Sequence, residues 1–122
     1  MIHTTQSKAV VAYKTINKIS GGNLPLPVAF ALFKAKKKLA AQFEFQIEQE
    51  QKIIEECKAS VDAEGNWTFE SEEDKKAFVE RLTEVSNMPV EIDIDPQTIP
   101  LNANIELSVE DMEALENFIE FE

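Results

Sequence analysis

One stretch limits the fold more than any other. Val28, Leu32, Ala35, Leu39, Phe43, Ile47, Ile54, Cys57 and Val61 follow one another at intervals of three, four or seven, which is one face of a long helix. Only Glu50 interrupts the stripe, and neither Gly nor Pro occurs between Val28 and Ser60. About 33 residues at 1.5 Å each make a rod of roughly 50 Å, beyond the usual range of globular helices. A rod of that length outreaches a globule of 122 residues, so part of it is expected to pack on another helix or another subunit. The spacing is not a strict heptad, so a coiled coil is not specified.

The other elements arrange themselves around this rod. Residues 9–19 are rich in Val, Ile, Thr and Tyr and read as a strand. Ser20-Gly21-Gly22-Asn23 breaks the chain, and Pro27 suits the first turn of the rod. After the turn at Asp62–Asn66, Trp67 and Phe69 alternate with polar residues in a short strand. Ser71, followed by Glu72, Glu73 and Asp74, caps a second helix that ends at Asn87 and Pro89. Val90, Ile92 and Ile94 alternate with Glu91, Asp93 and Asp95, a half-buried strand with an acidic outer face. Ile99–Leu101 and Ile105–Leu107 read as further extended pieces. Ser108 starts a last helix whose apolar face is Met112, Leu115, Phe118 and Ile119. The expected fold is a single α+β domain over residues 1–122, with residues 1–8 frayed. A long helical hairpin, rod against second helix, packs with a small, mostly antiparallel sheet and a short C-terminal helix.

Charge is divided along the chain. Residues 1–43 contain seven lysines and no acid, whereas residues 44–122 contain all 23 acids and five basic residues. Segments of net +7 and −18 produce the overall −11. Such asymmetry bears on partners rather than on fold. The longest apolar run, Val28–Phe33, is far short of the roughly 20 residues a bilayer span needs. The first residues lack the pattern of a signal peptide, and one cysteine cannot make an internal disulfide. The cytoplasm is the expected compartment, and no membrane association is expected.

Residues that could carry chemistry are few. The lone His3 and lone Cys57 are far apart, and Cys57 on the apolar stripe reads as core. No phosphate-binding glycine loop occurs, no carboxylate pair is singled out for acid–base work, and no cofactor or metal is expected. Glu91, Asp93 and Asp95 read first as a solvated strand face, with a cation site or an acidic protein-binding edge as alternatives. Lys34, Lys36, Lys37 and Lys38 form the one basic cluster. It reads as a solvated helix face or a phosphate-binding patch. No aromatic interleaves with it as a stacking surface requires, and direct nucleic-acid binding is not expected. Trp67, Phe69, Phe30 and Phe33 read as core residues, with interface anchors as the alternative. The candidate interaction surface is therefore Lys34, Lys36, Lys37, Lys38, Trp67, Glu91, Asp93 and Asp95.

Several segments together resemble a small family of uncharacterised proteins encoded by phages and prophages of Gram-positive and gut bacteria. They are Ile19–Pro25, the lysine- and glutamate-rich helix that follows, Glu48–Ile54, Asp62–Asn66, Pro89–Ile92 and Leu107–Ile119. The resemblance spans roughly residues 14–119 and carries over no activity and no functional residues. It implies an intracellular phage product of an infected or lysogenic bacterial host, with an accessory, assembly or host-interaction role. The expected function is a non-enzymatic protein–protein interaction or assembly module with a host or phage protein as partner, or a homodimer through the long helix. The alternative is an acidic inhibitor that mimics nucleic-acid charge against a host nuclease complex.

Overall fold

A computed structural model describes residues 1–122. The chain starts in a strand. β1, Ile2–Thr5, pairs antiparallel with β4, Pro89–Ile92, in the register Ile2 to Ile92 and Thr4 to Val90. Ile2 is buried by this pairing, so the first residues are ordered rather than frayed. Thr5 then caps α1, Gln6–Ile19, its side chain accepting the Lys8 N–H at 3.3 Å. The segment expected as a strand is thus a helix. Its buried residues Ala9, Ala12 and Ile16 keep helical spacing, and packing of that face outweighs the β propensity of Val, Ile and Tyr.

α2, Leu26–Glu56, is the long helix, about 46 Å from end to end at 1.5 Å per residue. Pro25 precedes it and Pro27 lies in its first turn. Its chief helical neighbour is α1, not the helix that follows it. Ala9, Ala12, Ala31 and Ala35 are buried, and small side chains let two helices approach closely. The buried line of α2 runs Val28, Leu32, Ala35, Leu39, Gln46, Ile53. It passes through Gln46 and Ile53 rather than Ile47 and Ile54, and Ile47 is exposed.

α2 ends at Cys57, one turn earlier than expected. Lys58 adopts φ 52°, its N–H donates to the Glu55 carbonyl, and the Ala59 N–H reaches the Ile54 carbonyl at 3.0 Å. This is the Schellman ending, with lysine where glycine is usual. β2, Ser60–Val61, and β3, Trp67–Thr68, form a hairpin. Asp62 closes its turn by accepting the N–H groups of Glu64 and Asn66, both at 2.9 Å, and Gly65 supplies φ 86°. Ser71 caps α3, Glu72–Ser86, by accepting the Asp74 N–H.

Beyond β4, the chain forms β5, Gln97–Ile99, then α4, Val109–Leu115, and β6, Ile119–Phe121. β5 and β6 pair in parallel, Gln97 beside Ile119. Phe118 and Ile119 are core residues, as expected, but lie beyond the end of α4, because the chain leaves the helix to reach β5. Residues 105 and 107 belong to no strand. The architecture is α+β, with three two-stranded ladders, two of them antiparallel.

Two apolar clusters share α2. The larger has 14 buried residues, from Ile2 of β1 through α1 and the first half of α2 to Phe118 and Ile119. The smaller holds Ile53, Cys57 and Phe78 beneath α3 and the hairpin. Between them lies a polar seam. Gln6 donates to the Gln42 carbonyl at 2.7 Å and to Gln46 Oε1 at 3.3 Å, and Gln46 donates to Glu50 at 3.0 Å.

Candidate functional site

The eight residues of the expected surface do not meet in one place. The four lysines are on the N-terminal half of α2. Trp67 is on the hairpin beyond its C-terminal end, 46% exposed, with its ring 5.1 Å from that of Phe78. It half covers the smaller cluster and is chiefly a lid on it. Glu91 lies on β4, 3.3 Å from His3 Nδ1. Asp93 and Asp95 lie past the end of β4, and Asp95 is 3.9 Å from the terminal amine. The three acids therefore share no strand face, because the strand stops at Ile92. No group of three or more His, Cys, Asp or Glu side chains is placed to hold a metal ion. No helix is long and apolar enough to cross a membrane.

What the structure assembles instead is the outer face of α2. Leu26, Phe30 and Phe33 are 80%, 55% and 57% exposed. Their spacing of four and three puts them in one line along the helix, opposite the buried Leu32, Ala35 and Leu39. Core packing was the expectation for Phe30 and Phe33, and it fails because both sit on the wrong side of the stripe. The same face continues through Lys34, Lys37 and Lys38, then Ala41, then Glu44, Glu48 and Glu55, all exposed. Aromatics do accompany the lysines: Lys34 Nζ lies 4.6 Å from the centre of the Phe30 ring, a cation–π distance. Lys36 turns the other way and lies 5.9 Å from the Tyr13 ring, which stacks on Phe43 at 4.4 Å.

Lys18, Lys58, Lys76 and Arg81 each have a carboxylate partner within the chain. Arg81 is held by Glu56, and the hydrogen bond to that carboxylate raises its pKa further above the ordinary arginine range. Lys18 bonds Asp111 Oδ1 at 2.5 Å and pulls the Asp111 carboxyl below its usual range, with bonds from Ser108 adding to the effect. Lys34, Lys36, Lys37 and Lys38 pair with no acid, as is true also of Lys8, Lys14, Lys52 and Lys75, and Glu44, Glu48 and Glu55 pair with no base.

A shallow cleft of about 440 Å³ adjoins Phe33, between α2 and the loop after α1. Ser20, Asn23, Leu24, Phe33 and Lys36 line it. It widens the exposed face on one flank and gives it both apolar and hydrogen-bonding walls. The helical wheel alone carries a signal for this face. Phe30 and Phe33 fall off the Val28–Leu39 stripe, so a strict reading of the period would have placed them outside.

No family model, no curated protein and no solved structure matches the chain.

Proposed function

We propose that this chain is a non-enzymatic protein-binding module and that its docking surface is the outer face of α2. The observation that carries the reading is the line of Leu26, Phe30 and Phe33, more than half exposed beside unpaired lysines. Large apolar groups in contiguous exposed positions mark interaction sites, and aromatic residues are enriched at interface centres, with charged residues such as these lysines at the rim. The resemblance to phage-encoded proteins supports an accessory or assembly role in an infected cell. The acidic-inhibitor reading finds less support. Lys75, Lys76 and Arg81 interleave with the acids of α3, and Glu91 and Asp95 face cationic or ionisable neighbours.

A photo-crosslinking amino acid at position 33, with one at position 98 on the far strand as control, tests the surface in the producing cell. A discrete adduct from position 33, absent from position 98 and lost on Phe30→Asp, is expected. Equal labelling from both positions, or none from position 33, would remove the assignment.

A further inference from the structure

We infer that the occupant of the α2 face is a second copy of this chain, its α2 lying antiparallel across the first with the two-fold axis at Ala41. The inference rests on the protein-binding reading above and identifies the partner. Three observations support it.

The first is area. The chain exposes 8038 Å², whereas a compact monomer of 13.8 kDa is expected to expose about 6,600 Å². The surplus of about 1,400 Å² exceeds the roughly 800 Å² that each partner buries in a standard interface. The second is charge. Along one exposed line, the basic residues Lys34, Lys37 and Lys38 precede Ala41, and the acids Glu44 and Glu48 follow it at matching distances. Turning the helix end for end about Ala41 places Lys34 opposite the other copy's Glu48 and Lys38 opposite its Glu44. A two-fold interface requires this kind of self-complementarity, and none of these side chains has an oppositely charged partner within its own chain. The third is shape. Ala41 is exposed and small, so two helices can cross there closely. The same register puts the exposed Phe30 opposite the other copy's Lys52 and Phe33 opposite its Gln49. A parallel pair would set lysine against lysine and glutamate against glutamate.

Charge reversal tests the register. Lys34→Glu with Lys38→Glu, and separately Glu44→Lys with Glu48→Lys, alter only exposed side chains, so both variants should fold, as circular dichroism would show. Sedimentation equilibrium is expected to find the wild type dimeric at micromolar concentration and each variant weakened by about tenfold or more. An equimolar mixture of the two variants is expected to form a heterodimer near wild-type affinity. Mild oxidation adds geometry: Ala41→Cys should crosslink, whereas Lys34→Cys should not. Buried Cys57 keeps the wild type as a control. A wild type that stays monomeric, a mixture without recovery, or crosslinking through Lys34→Cys overturns the inference. If the chain is monomeric while position 33 still captures another protein in the cell, the second copy fails and the binding surface stands. If both experiments are negative, both readings fall.

Discussion

Replacing Gln6 and Gln46 together with methionine should stabilise the protein. Gln6 is 1% exposed and Gln46 is 9% exposed, and together they interrupt the apolar contact between α1 and α2. The Gln42 carbonyl fixes the Gln6 amide, since only its nitrogen can donate there, and this leaves Gln6 Oε1 buried without a partner. Three hydrogen bonds would be lost, at about 1 kcal/mol each. Against this, an orphaned buried carbonyl worth about 1–3 kcal/mol disappears. Two thioether side chains of similar outline add about 1 kcal/mol each of apolar burial over the glutamine methylenes. The balance favours the double variant by about 0–2 kcal/mol, centred near 1, a rise in melting temperature of about 4 °C at the centre. Gln6→Ala should go the other way, by about 2–3 kcal/mol, because it loses the bonds and leaves a hole. Urea unfolding reads both, with a constant m-value showing that the denatured state has not changed. A double variant destabilised by more than about 1 kcal/mol would mean that the seam contributes net stability, and the reasoning on buried amides would be wrong here.

Three further outcomes are expected. Phe30→Asp with Phe33→Asp, measured dilute enough to be monomeric, should change stability by no more than about 0.5 kcal/mol; a loss above about 1.5 kcal/mol would make these rings structural. Lys58→Gly should stabilise by about 0.5–1 kcal/mol, since φ 52° strains any residue with a Cβ, and a fall in the urea midpoint would refute the strain. Asp111 titrates below its usual range, chiefly through Lys18, so its ionised form stabilises the fold above the unfolded carboxylate pKa, and that contribution is lost as pH falls through the lower folded value. Asp111→Asn should therefore lower the neutral-pH midpoint and flatten its decline below about pH 5 relative to wild type; parallel curves would exclude the site as a source of the acid limb.

The parts of this fold legible in the sequence are those where one local rule acts alone. α2 is readable because its apolar period runs without Gly or Pro, and the starts of α3 and α4 because Ser71 and Ser108 are good caps followed by acids. α1 is not readable by propensity. Val10, Val11, Tyr13, Thr15 and Ile16 favour a strand locally, and only contact with α2 makes the spacing of Ala9, Ala12 and Ile16 decisive. β1 is misread for a related reason: Ile2 is buried only because Ile92, 90 residues later, pairs beside it. The lysines of the candidate face are visible as a run, but their aromatic companions are not, since Phe30 and Phe33 look like core residues until the buried side of α2 is known. The separation of Trp67 and the strand acids from that face depends on tertiary geometry alone.

The order of charges on α2 also bears on how the protein folds. Its first turn has no acid and its last turn no base. Glu55 and Glu56 stand instead at the negative end of the helix dipole, where they oppose it. As an isolated peptide, residues 26–56 should be a poor helix for their length. Helix formation and docking on α1 then become one event, joined by the short loop of residues 20–25, and the earliest organised structure should be this local pair rather than the ladders that need distant strands. Ala12→Gly in α1 and Leu39→Ala in α2 should then slow folding in similar proportion to their loss of stability, and two unrelated φ-values would show that α2 forms without its neighbour.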